Sequence, residues 1–296
     1  MRIIFMLMLL FTSSITSCQD VGWTRVSGGQ FAIFTSSHAP FPHPKRAAGH
    51  AYGDTLFSFE ASYNDSSIAV FVPDHFIRTE ATDLVFYFHG WGNTIQKSNE
   101  TFDLLGQFSA SHKNAVFVFP EGPKNASDSF GGKLEEKDDF KQLVADVLAF
   151  LQHEQKVDSI IPGNIILAGH SGAYRVIAYI LNRGGLSQNI SEVYLFDALY
   201  AEEEKYAHWL DENHGRMVNI ITPNGGTTVN SLDFLENLED WDIPFKKVTK
   251  NEVDLTELSE AKIVFVFTSL RHSEVINPYF ELALKSSKLK NANGSE

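Results

Sequence analysis

Apolar residues recur along this chain with two different periods. In KDDFKQLVADVLAFLQHEQ, the residues Phe140, Leu143, Val144, Val147, Leu148 and Leu151 fall at i, i+3, i+4, i+7, i+8 and i+11, one face of a helix. Asp138 and Asp139 stand at its start, where the helix dipole favours negative charge. Elsewhere the apolar residues come in short unbroken runs. DLVFYFHG (Asp83 to Gly90) and NAVFVFPEG (Asn114 to Gly122) are near-continuous, the pattern of central strands buried on both faces. After the helix, the series predicts a strand NIILAG (Asn164 to Gly169) and a helix AYRVIAYILNRGG ending on Gly184 and Gly185, good C-cap residues. A strand EVYLFD (Glu192 to Asp197), a helix around Glu203 to Trp209 and a strand MVNIIT (Met217 to Thr222) follow. A helix near Val229 to Leu238, a strand KIVFVFTS (Lys262 to Ser269) and a helix from Val275 to Lys285 complete it.

Ahead of this series, TLFSFEASY (Thr55 to Tyr63) and SIAVFVP (Ser67 to Pro73) are separated by the turn residues Asn64 and Asp65 and predict an antiparallel pair. From Gly22 to His50 the pattern is irregular, and APFPHPKR (Ala39 to Arg46) blocks regular structure. The expectation is a tether and irregular segment over 18–50, then one domain over 51–296. That domain is α/β: a mostly parallel central sheet flanked by helices, with no large cap domain. No internal repeat is visible, and AEEEKYAHWLDEN (Ala201 to Asn213) reads as a solvated helix face.

Composition narrows the function classes. With 296 residues, 43% hydrophobic, the chain can bury one sizeable core. A formal net charge of −13 argues against a nucleic-acid binder, which needs clustered Lys and Arg. The nearest thing to a cluster, Lys285, Lys288 and Lys290, reads as a solvated helix end. The N-terminus, MRIIFMLMLLFTSSITSCQD, has one Arg, an apolar run from Ile3 to Phe11 too short for a comfortable span, then small polar residues, as in a secretory signal. Its Ile15-Thr16-Ser17-Cys18 ending resembles a bacterial lipobox. That resemblance implies a signal peptide over 1–17, acylation of Cys18 (the chain's one cysteine) and a membrane-anchored envelope protein. Gln19, rather than Asp, after the cysteine fits an outer-membrane anchor in a Gram-negative cell; a Gram-positive source fits as well. An ordinary signal peptide with a chance cysteine is the alternative.

The chemistry centres on Gly169-His170-Ser171-Gly172-Ala173, where a strand runs directly into a helix. Such a turn exposes the serine hydroxyl beside the N–H groups of a helix N-terminus and needs small neighbours. A plain N-cap serine would look the same locally. HGWGN (His89 to Asn93), just after a central apolar strand, stands where a loop can supply a second oxyanion donor. Taken together, these residues resemble the α/β-hydrolase family, with Ala173 in place of the last Gly of Gly-x-Ser-x-Gly. The resemblance implies Ser171 as nucleophile and the backbone N–H groups of Gly172 and Trp91 as the oxyanion hole. In the family's order of Ser, acid, His, the base comes last. Of His208, His214 and His272, only His272 follows the final strand, and the other two read as surface. TPNGGTT (Thr222 to Thr228), the usual place for the acid, has no carboxylate; Asp197, closing the preceding strand, fits a family variation, and Asp233 is the fallback. His170 reads as elbow support and His89 as structural.

The loop PEGPKNASDSFGGKLEEKDDF (Pro120 to Phe140) sits at the carboxyl end of a central strand, where α/β sheets bind ligands. Ser129, Phe130, Gly131 and Gly132 are candidates to line a substrate site, as is Tyr174; Arg175 is either pocket wall or helix packing, and a plain surface loop is the alternative. His38 and His43 lack a ligand pattern, and no CxxC or HExxH occurs, so neither metal nor cofactor is expected. Asn-x-Ser/Thr strings at Asn64, Asn99, Asn125, Asn189 and Asn293 are taken as chance. The expected activity is hydrolysis of a carboxylic ester, on a small-molecule or envelope-polymer substrate. Alternatives are an amidase or peptidase on envelope material, or a non-catalytic binding lipoprotein on the same scaffold.

Overall fold

The structure is a computed structural model that describes residues 22–213, 215–249 and 253–292. In chain order its strands are β1 (Thr24–Val26), β2 (Gly29–Thr35), β3 (His50–Tyr52), β4 (Thr55–Phe57), β5 (Ser67–Pro73), β6 (Ala81–Phe88), β7 (Val116–Pro120), β8 (Ile161–His170), β9 (Ile190–Phe196), β10 (Arg216–Ile221), β11 (Lys246–Thr249) and β12 (Ile263–Phe267). The helices are α1 (Phe59–Ser62), α2 (Ile95–Phe102), α3 (Leu104–Ala110), α4 (Asp139–His153), α5 (Tyr174–Arg183), α6 (Glu203–Asn213), α7 (Thr228–Asp240), α8 (Leu255–Ser259) and α9 (Ile276–Lys285).

Ten strands form one sheet in the order β1-β2-β5-β7-β6-β8-β9-β10-β12-β11. The first three are antiparallel to their neighbours; from β7 to β11 every pair is parallel. Each central strand divides its side chains between two layers, as the period of two requires. Leu84, Phe86 and Phe88 of β6 join one core with the buried faces of α4, α5, α6 and α7. Val85 and Tyr87 join the other, with α2, α3 and α9. The six periodic residues of α4, Phe140 to Leu151, are all buried, as the spacing predicts. Truncating one of them, such as Leu148→Ala, costs about 2–5 kcal/mol by the usual cavity argument.

Two expectations are corrected. Residues 18–50 are not simply a tether: Gly29–Thr35 pairs along its whole length with Ser67–Pro73, extending the main sheet. The strand is hard to see because Ala32 and Phe34 face the core while Phe31 and Ile33 lie on the more open face, so apolar residues occupy both. The predicted pairing of Thr55–Tyr63 with Ser67–Pro73 is also replaced. Thr55–Phe57 folds back on His50–Tyr52 as a separate hairpin, and Phe59–Ser62 is helical, capped by the Ser58 hydroxyl. Cys18 and the segment 1–17 lie outside the described residues, and among the described residues no helix is long and apolar enough to cross a membrane.

Strand β6 sends its following loop toward β7 on one side, while neighbouring β8 leads to β9 on the other. The crevice at the carboxyl ends of these strands is where such a sheet leaves room for a ligand.

Candidate active site

Ser171 follows the last residue of β8 with φ +55°, a left-handed conformation that a serine adopts only when the surroundings impose it. A 3-10 turn, Ser171–Ala173, then leads straight into α5, so the Gly172 N–H opens a helix, where first-turn N–H groups lack an intrahelical partner. The neighbouring backbone must be bare for this turn to fit. A methyl group on Gly90 would lie 2.7 Å from Ser171 Cβ, and one on Gly172 would lie 2.5 Å from Trp91 Cδ1. The indole of Trp91 thus lies across Gly172, and its Nε1–H donates to Ser129 Oγ at 2.8 Å.

The loop bearing Trp91 is fixed from beneath. His89 is buried; its Nδ1 lies 2.8 Å from Gly90 O, and its Nε2 lies 3.0 Å from Glu121 Oε1 and 3.1 Å from the Gly122 N. Its structural assignment therefore acquires a mechanism, holding the Gly90 turn against the 120–140 loop.

Asp197 closes β9, also at positive φ (+49°), and is wholly buried. Its Oδ2 lies 2.6 Å from His272 Nδ1, on the loop after β12. The Thr222 N–H donates to Oδ1 at 3.2 Å, and the hydroxyls of Thr222 and Thr227 both donate to the carboxylate. Burial by itself would raise the Asp197 pKa; the hydrogen bonds from His272, Thr222 and Thr227 outweigh it and hold the carboxyl below its ordinary value. Asp233, the fallback acid, lies on the exposed face of α7. His208 is exposed on α6, paired with Glu212, and His214 lies outside the described residues.

Around Ser171 the walls are aromatic. The Tyr200 phenol lies beside Ser171 and donates to Gly225 O, and its ring stands edge-on to His272 with centroids 6.5 Å apart. Burial, then the Asp197 charge, pushes its pKa up to about 12. Tyr174, half-buried, packs on Tyr200 at 5.8 Å, with its phenol near Ser129. Of the candidate substrate residues, Ser129 and Tyr174 therefore stand beside Gly172 and Ser171. Phe130 is largely buried: its ring packs with Phe41, Tyr63 and Ala126, under the Arg46 guanidinium at 4.6 Å. A cavity of about 30 Å³ between Phe130 and Gly172 has room for about one water. Arg175 serves neither as pocket wall nor as simple packing. It forms two hydrogen bonds to Glu135 at 2.6 and 2.8 Å, and Glu135 also accepts the Gly131 N–H at 2.8 Å, so α5 ties down the loop.

Sequence reasoning missed Tyr200, Thr222 and Thr227. The two threonines bracket the loop that lacks a carboxylate, a signal that the loop serves an acid placed elsewhere. Nothing in the sequence marks Tyr200. Among the described residues, no group of three or more His, Cys, Asp or Glu side chains could hold a metal ion.

No family profile and no curated protein matches the chain. Its shape does match solved structures. A feruloyl esterase module from Clostridium thermocellum, complexed with sinapinate, aligns at TM-score 0.52 and 11% identity over 86% of this chain and 93% of that one. The fluorophosphonate-binding serine hydrolase F of Staphylococcus aureus aligns at TM-score 0.53 and 10% identity, over 86% and 97%. A ferulic acid esterase aligns at TM-score 0.51 and 15% identity, over 74% and 90%. At these identities the likeness is one of fold: the chain has the α/β-hydrolase fold, as the elbow, the sheet order and the strand-to-helix alternation imply.

Proposed function

We propose that the chain is a serine hydrolase that cleaves a carboxylic ester through an acyl-enzyme, with Ser171 as nucleophile, His272 as base and Asp197 as the orienting acid. The observation that carries this is the 2.6 Å contact of His272 Nδ1 with buried Asp197, beside a serine held at φ +55° where β8 enters α5. A serine hydroxyl attacks a carbonyl only as a neighbouring base takes its proton. With Nδ1–H committed to Asp197, the Nε2 of His272 is left as the basic nitrogen, and the imidazolium it becomes is stabilised by the carboxylate. The oxygen of the tetrahedral intermediate faces the N–H groups of Gly172 and Trp91. His272 then protonates the leaving alcohol, and water, deprotonated by the same nitrogen, releases the acid from Ser171.

A carboxylate this buried, with three hydrogen-bonding side chains aimed at it, is an expensive feature for a purely non-catalytic scaffold, and this favours catalysis over binding alone. The test is labelling by a fluorophosphonate probe. Folded wild type is expected to label, and Ser171→Ala and His272→Ala are not; a folded wild type that stays unlabelled sinks the proposal. The ending at Ile15 to Cys18 supports a further part of it, export and acylation at Cys18 on the cell envelope. Mass spectrometry of the mature N-terminus checks it: an unacylated Cys18, or cleavage elsewhere, overturns it.

A further inference from the structure

We propose that His170 is a positioning residue for the base: its ring and its Nε2–H hold the His272 segment where the imidazole reaches both Asp197 and Ser171. The inference rests on the assignment of His272 as base. His170 is the last residue of β8 and the immediate neighbour of Ser171, so one stretch of backbone fixes both the serine and the support of its partner. Its Nε2–H donates to the carbonyl oxygen of His272 at 2.9 Å, and the two imidazoles stack with centroids 4.6 Å apart at 29°. The loop needs such a hold. Arg271, Ser273 and Glu274 around His272 are exposed, and the Arg271–Glu274 hydrogen bonds tie the loop only to itself.

Two features argue that a histidine is there for more than packing. His170 is 5% exposed, with Phe102 edge-on at 5.7 Å, and its Nδ1 is buried with no hydrogen-bond partner. A phenylalanine would fill such a place without an unpaired nitrogen, so what histidine uniquely contributes is the Nε2–H aimed at His272. Burial, and then the neighbouring His272, pushes the His170 pKa down to about 4. The ring therefore stays neutral and presents a π face, rather than a second cation, to the imidazolium that forms when His272 takes the serine proton.

The test compares His170→Phe, which keeps a ring but no donor, with His170→Gln, whose amide N–H reaches the Nε2 position without the ring. Steady-state kinetics on a short-chain p-nitrophenyl ester and the rate of fluorophosphonate labelling are measured on proteins shown to be folded by near-UV circular dichroism. The expected result for His170→Phe is KM nearly unchanged, with kcat and labelling rate down about ten- to a hundred-fold, the effect of a base displaced by a fraction of an ångström to an ångström. His170→Gln is expected to recover most of the loss. An unchanged kcat in His170→Phe overturns the proposal, as does equal impairment of both variants, which marks mere packing. Should His170→Phe not fold, His170→Met is the second donor-less variant. A wild-type labelling rate in His272→Ala overturns instead the assignment of the base, and the proposal with it.

Discussion

Arg46 grips Asp128 across 82 residues of chain, Nε to Oδ2 at 2.6 Å and Nη2 to Oδ1 at 3.0 Å. The Tyr63 hydroxyl donates to the same carboxylate at 3.1 Å, and the Phe130 N–H at 2.9 Å. Burial works against an ionised Asp128, but the bonds from Arg46 and the Phe130 N–H prevail and hold its pKa down. Residues near the start of the described chain thus clamp the loop whose Ser129 touches Trp91.

Breaking that clamp is expected to be felt at the site as well as in stability. Arg46→Met leaves Asp128, a nearly buried carboxylate, without its cation, and the expected loss is about 3 kcal/mol in urea unfolding. The same variant is expected to lower fluorophosphonate labelling, because Ser129 then no longer steadies the Trp91 loop. Loss of stability with a wild-type labelling rate would show that the clamp serves the fold alone.

Asp197→Asn keeps the shape of the side chain while removing the charge that, in the proposed mechanism, stabilises the imidazolium. The expected fall in kcat is about 10³- to 10⁴-fold, with little change in KM. Thr222→Val and Thr227→Val each remove one hydroxyl donor from the carboxylate and are expected to act more mildly, about tenfold, through a less firmly held Asp197. A larger effect from either threonine than from Asp197→Asn would place the acid elsewhere.

Much of this was legible in the chain. Helix α4, the runs that became β6 and β7, and the Gly-x-Ser elbow were readable because burial on one or both faces imposes a strict apolar pattern. Four strands were not: β1 and β3 are only three residues long, too short to show a pattern, and β2 and β11 are hidden for other reasons. β2 carries apolar residues on both faces, one of them exposed at Ile33, and β11 is a four-residue edge strand with two lysines, KKVT. The site divides in the same way. Ser171, Asp197 and His272, the proposed triad, could be singled out because each ends or follows a strongly patterned strand. Arg46, Glu135 and Tyr200 act through contacts between segments far apart in sequence, and spacing along a chain carries no trace of them; His170 could be read as elbow support, but not its bond to the His272 carbonyl. The burial of Phe130 is not legible either, because a Gly-rich loop reads as open until the Arg46–Asp128 pair is seen to cover its ring.

Gly90→Ala tests how closely the Gly90 turn and the elbow are packed. The added methyl would meet Ser171 Cβ at 2.7 Å and His170 O at 2.9 Å, and neither is the end of a flexible side chain. The expected destabilisation is about 1–3 kcal/mol, as for overpacking elsewhere. Labelling of Ser171 should fall disproportionately, because the methyl pushes on the carbon that bears the proposed nucleophile. Stability and labelling close to wild type would mean that the two loops stand farther apart.

The low pKa of His170 predicts a pH dependence of stability with a definite sign. In the unfolded chain the group titrates at its ordinary 6.5; in the folded protein burial holds it near 4. Between those values the unfolded state binds the proton and the native state does not, so acidification favours unfolding. The contribution is complete above pH 6.5 and is lost at no more than about 1.4 kcal/mol per pH unit, so that about 3 kcal/mol of it is gone by pH 4. His43 and His75 are also shifted down by burial and slope the same way, but they are common to wild type and variant. The difference between wild type and His170→Phe therefore isolates one proton. Urea unfolding at several pH values from 7 to 4 should show wild type losing stability more steeply than His170→Phe, and parallel curves would mean that His170 is hydrated and titrates normally in the folded protein.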